Sequence, residues 1–150
     1  MSEEKIVSVI RDFVEAYVKR DVEKMLSFLT EDAVWVLPDY PFPLKGKEEV
    51  KRYLTWETQR IPDFKIRDAG IGIMVKGNKA VHEQVFEGSM PEGRRFREIP
   101  GIAVYEFNGE KIQRHRMYYD RLSMGKQVAK GRFEKKVVSL IVNRWEKGLH

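Results

Sequence analysis

Cysteine is absent from this 150-residue chain, which removes disulfides, thiolate nucleophiles and thiolate metal sites together. No apolar run approaches the roughly 20 residues of a membrane-spanning helix. The start, Met1-Ser2-Glu3-Glu4-Lys5, is acidic and polar where a secretory signal is basic and then apolar. These absences lead us to expect a soluble, cytoplasmic protein with no membrane partner. A Gly-x-Ser-x-Gly elbow is also missing, and with no well-placed serine, covalent catalysis has no obvious nucleophile. Gly70-Ile71-Gly72 and Gly125-Lys126 lack the strand, glycine spacing and helix that a phosphate loop requires. Neither repeats nor low-complexity tracts nor a linker interrupt the chain, so a single domain is the simplest organisation.

Histidine is scarce: His82, His115 and His150. A metal on His82 and His115 would need a third ligand, and Glu83 and Glu87 have the opposite strand parity from His82. No metal and no cofactor are therefore expected.

Charge is plentiful, at 34% of residues and a net +5. The positive excess sits in Arg94-Arg95-Phe96-Arg97, Arg114-His115-Arg116 and the tail from Lys126 to Lys147, tracts dispersed along the sequence. A solvated, highly charged surface accounts for them, and no nucleic-acid partner is expected. Arg94, Arg95 and Arg97 could grip an anion through paired donors or guard a strand edge from aggregation.

Hydrophobic periodicity organises the rest. Ile6, Val9, Ile10, Phe13, Val14, Tyr17 and Val18 recur at three- and four-residue spacings, predicting a core helix from Glu3 to about Arg20. Asp21 caps a short helix from Val22 to Leu29, Thr30-Glu31-Asp32 turns the chain, and Ala33 to Leu37 reads as a strand. The prolines of Asp39-Tyr40-Pro41-Phe42-Pro43 then forbid regular pairing. A third helix spans Lys47 to about Arg60, with Val50, Tyr53, Leu54 and Trp56 on one side. Strands follow over Phe64 to Val75, Ala80 to Gly88, Phe96 to Phe107 and Lys111 to Asp120. Asn108-Gly109 is the hairpin turn, since both residues tolerate positive φ, and Pro100-Gly101 should break or bulge the third strand. Phe133, Val137, Leu140, Ile141 and Trp145 suggest a last helix whose apolar stripe must dock on this or a partner subunit.

This order of elements resembles the nuclear transport factor two-like superfamily. The residues carrying it are Phe13-Val14-Glu15-Ala16-Tyr17-Val18-Lys19-Arg20-Asp21, Phe28-Leu29-Thr30-Glu31-Asp32-Ala33-Val34-Trp35 and Gly46-Lys47-Glu48-Glu49-Val50. The nearest branch is the SnoaL-like proteins, relatives of polyketide cyclases, ketosteroid isomerases and limonene epoxide hydrolases, and the similarity runs over about residues 3 to 122. The resemblance implies an α+β cone: a strongly bent antiparallel sheet wrapped around N-terminal helices, leaving a deep, mainly apolar pocket. An additional C-terminal helix completes the chain. Residues 1–125 would form the cone and 126–150 a helical extension, with homodimers through the outer sheet face.

The resemblance also exposes departures. The oxyanion-hole tyrosine of ketosteroid isomerases falls on Phe13, their proton-moving aspartate near Leu37 and their protonated aspartate on Ala103. The Glu-Arg-x-Asp strand of the epoxide hydrolases matches Glu83-Gln84-Val85-Phe86, which lacks the arginine and the aspartate. Met117 stands where the cyclases carry a catalytic aspartate, while His115 is retained and Asp120 survives at the strand end.

By the same alignment His82, Gln84 and Phe86 share a pocket face with Ala103, Tyr105, His115 and Met117. The expected catalytic set is His115, His82, Tyr17 and Asp120, with Trp35, Tyr53, Gln84, Phe86, Tyr105 and Met117 binding substrate. Histidine titrates near neutrality, which suits proton transfer. The other reading is that both histidines are buried and satisfied by neighbours. Two functions stand side by side: a cofactor-independent isomerase or cyclase acting on a small, largely apolar molecule, and a noncatalytic binding or assembly module.

Overall fold

The computed structural model describes residues 1–38 and 40–146, with side chains through Ile141. Asp39 and His150 lie outside the described residues, as does the side chain of Trp145. Helices α1 (Glu3–Val18) and α2 (Val22–Ser27) precede β1 (Leu29–Val36), β2 (Leu44–Lys45) and α3 (Lys47–Arg60). Strands β3 (Lys65–Lys76), β4 (Lys79–Ser89), β5 (Arg95–Asn108) and β6 (Lys111–Tyr119) follow, then α4 (Arg121–Val128) and α5 (Gly131–Glu146). The sheet order is β2-β1-β6-β5-β4-β3. Every neighbouring pair is antiparallel except β1 and β6, which run parallel. This is the α+β cone.

The apolar stripe of α1, Ile6 to Tyr17, is buried on the concave face of the sheet. Ser2 caps the helix by accepting from Lys5 N at 3.2 Å. Arg20 ends the turn after it at φ 62°, a left-handed conformation unusual outside glycine, and its guanidinium turns inward to the carbonyl of Ile61. Alternation along β4 buries Ala80, His82, Gln84 and Phe86 and leaves their neighbours half-buried.

Bulges curl the sheet. In β3 the pairing slips between Asp68↔Gln84 and Ile73↔His82, where Gly70 and Gly72 have φ of 46° and 64°. Glu83 fills the turn, accepting from Ile71 N at 3.0 Å. The Gly70-Ile71-Gly72 motif thus bends a strand.

Several expectations shift by a residue or more. Thr30, Glu31 and Asp32 belong to β1, inside an irregular stretch of its pairing with β6 between Leu29 and Val34. Pro100 and Gly101 stay paired, with Val85 and Gln84; the bulge lies earlier, between Phe96 and Ile99, where Glu98 has φ 52°. Pro100 has no N–H to lose from the ladder, and its carbonyl accepts from Asp120 N at 3.1 Å. The hairpin turn is Gly109-Glu110, enclosed by the pair Asn108↔Lys111, and only Gly109 takes positive φ.

The C-terminal segment is helical, but in two pieces. Asp120 caps α4, its carboxylate accepting from Leu122 N at 3.0 Å and Ser123 N at 2.9 Å. Arg94 closes the other end through the carbonyls of Val128 and Ala129. Among the described side chains of the α5 stripe, Phe133, Val137, Leu140 and Ile141 are exposed on their own subunit, Phe133 by 80%.

Candidate functional site

A cavity of about 250 Å3 opens between α1, α3 and α4 and the concave sheet face. Phe13 of α1, Trp35 of β1, Tyr53 of α3, Phe86 of β4 and Tyr105 of β5 form its aromatic walls. Gly101 lets Phe86 take its place there, since a Cβ at that position would meet the Phe86 ring at 2.6 Å. Tyr17, Gln84, His115 and Met117 also line the cavity.

His82 and Asp120 are the two expected site residues that do not line it. His82 is buried on the same sheet face, but its Nε2 bonds Asp68 Oδ1 at 3.0 Å, and Asp68 pairs with Arg11 of α1 at 3.0 Å. Burial lowers the His82 pKa against the opposing pull of Asp68. The β3 bulge holds Asp68 toward α1 and gives His82 a local partner. Asp120 is occupied as the α4 cap. The acid–base pair of His82 and His115 therefore does not converge on one cavity.

His115 is 3% exposed and packed among rings: Trp35 at 4.1 Å between centroids, Tyr105 at 5.0 Å and Phe13 at 6.1 Å. Burial drives its pKa from 6.5 down to about 3, so the imidazole is neutral at physiological pH. Its Nδ1 has no protein partner, nor do the neighbouring Trp35 Nε1 and Gln84 Oε1. Gln84 Nε2 reaches only the sulfur of Met117, at 3.5 Å.

A second polar group lies on α3. Tyr17 Oη donates to Glu57 Oε2 at 2.6 Å, and Arg20 Nη1 lies 3.8 Å from the same oxygen. Glu57 lines the cavity and is 7% exposed. Burial raises its pKa, with Tyr17 and Arg20 pulling the other way. The Tyr17 hydroxyl is held protonated, its pKa raised well above the usual 10 by burial and by Glu57. Sequence reasoning missed Glu57 because it sits in a highly charged helix. Its signal was position: Val50, Leu54, Glu57 and Ile61 follow the four-three-four spacing of a buried stripe.

Among the described residues no group of three histidines or carboxylates could hold a metal ion, and no helix is long and apolar enough to cross a membrane. The arginine tract is engaged structurally: Arg94 caps α4, Arg95 lies 3.8 Å from Asp63 and the Arg97 backbone pairs with Gln127.

Residues 10–115 match the family model of the SnoaL-like domain. The chain belongs to the SnoaL-like family. Solved structures share the cone at low identity. A candidate polyketide cyclase from Xanthomonas campestris pv. campestris is 22% identical, with TM-score 0.75 over 83% of this chain and 97% of its own. A candidate SnoaL-like polyketide cyclase from Jannaschia has TM-score 0.76 at 11% identity, over 88% and 98%. A ketosteroid isomerase-like protein from Catenulispora acidiphila, in complex with trimethylamine, has TM-score 0.71 at 16% identity over 79% and 90%. No curated protein matches the chain in sequence. At these identities the SnoaL-like neighbours establish the fold, and function must be argued from the cavity.

Proposed function

We propose that this SnoaL-like chain binds a small, largely apolar molecule carrying a carbonyl or hydroxyl group. The observation behind this reading is that Trp35 Nε1, Gln84 Oε1 and His115 Nδ1, all on cavity-lining residues, have no protein partner. Buried polar groups are normally hydrogen-bonded, and an apolar pocket with a few convergent polar atoms is the usual form of a small-molecule site. The trio offers a donor, an acceptor and an imidazole nitrogen that serves as either.

The chemistry we assign is cofactor-independent isomerisation or cyclisation of a carbonyl compound. With a pKa of about 3, His115 is a weak base. Its role in this reading is therefore to donate to the ligand oxygen beside Trp35 Nε1. We further propose a cytoplasmic homodimer whose residues 1–125 form the cone and whose residues 126–150 serve assembly. Exposed Ile102 and Tyr118, paired on the outer sheet face, and the exposed α5 stripe favour it. The noncatalytic alternative draws support from Phe13, Leu37, Ala103 and Met117, which stand where the resemblance implies catalytic groups.

Tryptophan-fluorescence titration with 2-tetralone and with its hydrocarbon counterpart tetralin tests the binding. The ketone should bind more tightly, and His115→Leu, which removes a donor to the ketone oxygen, should remove most of that preference, about fivefold for ~1 kcal/mol of hydrogen bonding. Equal binding of both compounds, or none, would defeat the proposal.

A further inference from the structure

We propose that Glu57, held by Tyr17, takes the proton from the carbon beside the carbonyl of an enolisable ketone bound in this cavity. The inference rests on the ligand-binding reading above and adds the group that does chemistry. Glu57 is the one carboxylate among the described residues lining the cavity. Tyr17 and Arg20 both engage Oε2, at 2.6 Å and 3.8 Å, so Oε1 is the oxygen that takes the proton in this proposal. Phe13 is the ring between the two polar ends: its centroid is 6.1 Å from Tyr17, 5.9 Å from Trp35 and 6.1 Å from His115. A ketone lying over Phe13 with its oxygen toward Trp35 Nε1 and His115 presents an adjacent C–H toward α3.

In the step, Glu57 Oε1 forms a bond to hydrogen as the C–H bond breaks. That electron pair becomes a carbon–carbon double bond, and the carbonyl pair moves onto oxygen, where the donors of the sheet stabilise it. Returning the proton to the same carbon gives exchange, and to a conjugated carbon gives isomerisation. No oxidant, reductant or metal enters the balance. Arg20 keeps the ionised carboxylate accessible: its guanidinium is 5.0 Å from the Phe64 ring and 5.8 Å from that of Tyr17, and its Nε and Nη1 have no hydrogen-bond partner. The charged and titratable groups around Glu57 include Tyr17 and Arg20, from and beyond α1, Tyr53 and Arg60 on α3, Asp63, which acts on Arg20, and His115 across the cavity.

The experiment is deuterium exchange at the α-carbons of 2-tetralone and cyclohexane-1,3-dione in D2O, followed by NMR, on the full chain. The wild type should accelerate exchange over buffer, and Glu57→Gln, which keeps the size and the Tyr17 contact, should lose about a hundredfold or more of that acceleration. Binding, read by tryptophan fluorescence, should change less than threefold. Tyr17→Phe removes a contact that lowers the Glu57 pKa, so the pH midpoint of exchange should move up, with ionised Glu57 active on its alkaline side. Saturable binding without acceleration, or acceleration that survives Glu57→Gln, overturns this inference and leaves the binding site standing. If neither ketone binds the wild type, the underlying reading fails, and this inference with it. Circular dichroism and thermal melting of both variants separate lost chemistry from lost folding.

Discussion

His115 and Trp35 are register partners across the parallel β1–β6 pair, and their rings lie 4.1 Å apart at 39°. The parallel pairing therefore sets the site: it lays an imidazole against an indole at the base of the cavity. Ring contact satisfies the faces of both side chains and leaves their in-plane nitrogens to be met by something else.

Burial of His115 makes stability depend on pH. The unfolded chain binds a proton on this residue below about 6.5, whereas the native imidazole refuses one until about 3. Between those values the unfolded state holds more protons, so stability falls as pH falls. From pH 7 to 4.5 the loss attributable to His115 should be on the order of 2–3 kcal/mol, at ~1.4 kcal/mol per pK unit. His82 contributes in the same direction. Urea unfolding at both pH values should show a smaller acid loss for His115→Phe than for wild type; equal losses would rule out His115 as a source.

Gly101 shapes the cavity wall. A Cβ there would lie 2.6 Å from Phe86 Cε1 and 3.1 Å from the carbonyl of Tyr118. Gly101→Ala should cost roughly 1–3 kcal/mol by overpacking and push the Phe86 ring into the cavity, weakening 2-tetralone binding. A variant with unchanged melting and unchanged affinity would show that the wall yields freely.

Most of the fold was legible because apolar spacing is periodic. The stripe of α1, the alternation of β4 and the order of elements all follow from it. Local exceptions were not. Thr30-Glu31-Asp32 looks like a turn, yet long-range pairing with β6 recruits this polar stretch into β1. Asn108 invites a positive φ, yet the cross-strand register sets the turn one residue later. The aromatic walls were likewise readable from parity, since Trp35, Tyr53, Phe86, Tyr105 and Met117 converge as their spacing implied. The polar constellation was less so. His82 shares the right parity but is drawn to Asp68 by a bulge that no periodicity encodes, and Glu57 is buried by contacts from another helix.

Asp120 distinguishes capping from catalysis. Its carboxylate accepts from two α4 backbone N–H groups and from the Ser123 hydroxyl. Asp120→Ala should lower stability by about 1 kcal/mol, the usual worth of an N-cap, while ketone exchange at saturating substrate stays near wild type. Loss of exchange with full stability would instead place Asp120 in the chemistry.

The α5 stripe gives the assembly proposal its test. Phe133, Val137, Leu140 and Ile141 are exposed on one subunit, and apolar patches of this kind mark surfaces that another chain covers. Because Phe133 and Leu140 are exposed in the single chain, by 80% and 59%, replacing both by glutamate should leave monomer stability within about 0.5 kcal/mol. What should change is mass. Light scattering is expected to show a dimer for the wild type and a monomer for Phe133→Glu with Leu140→Glu. The cavity lies on other elements, so 2-tetralone affinity should be the same in both. A wild type that is monomeric at all concentrations, or a double variant that remains dimeric, would remove α5 from the interface.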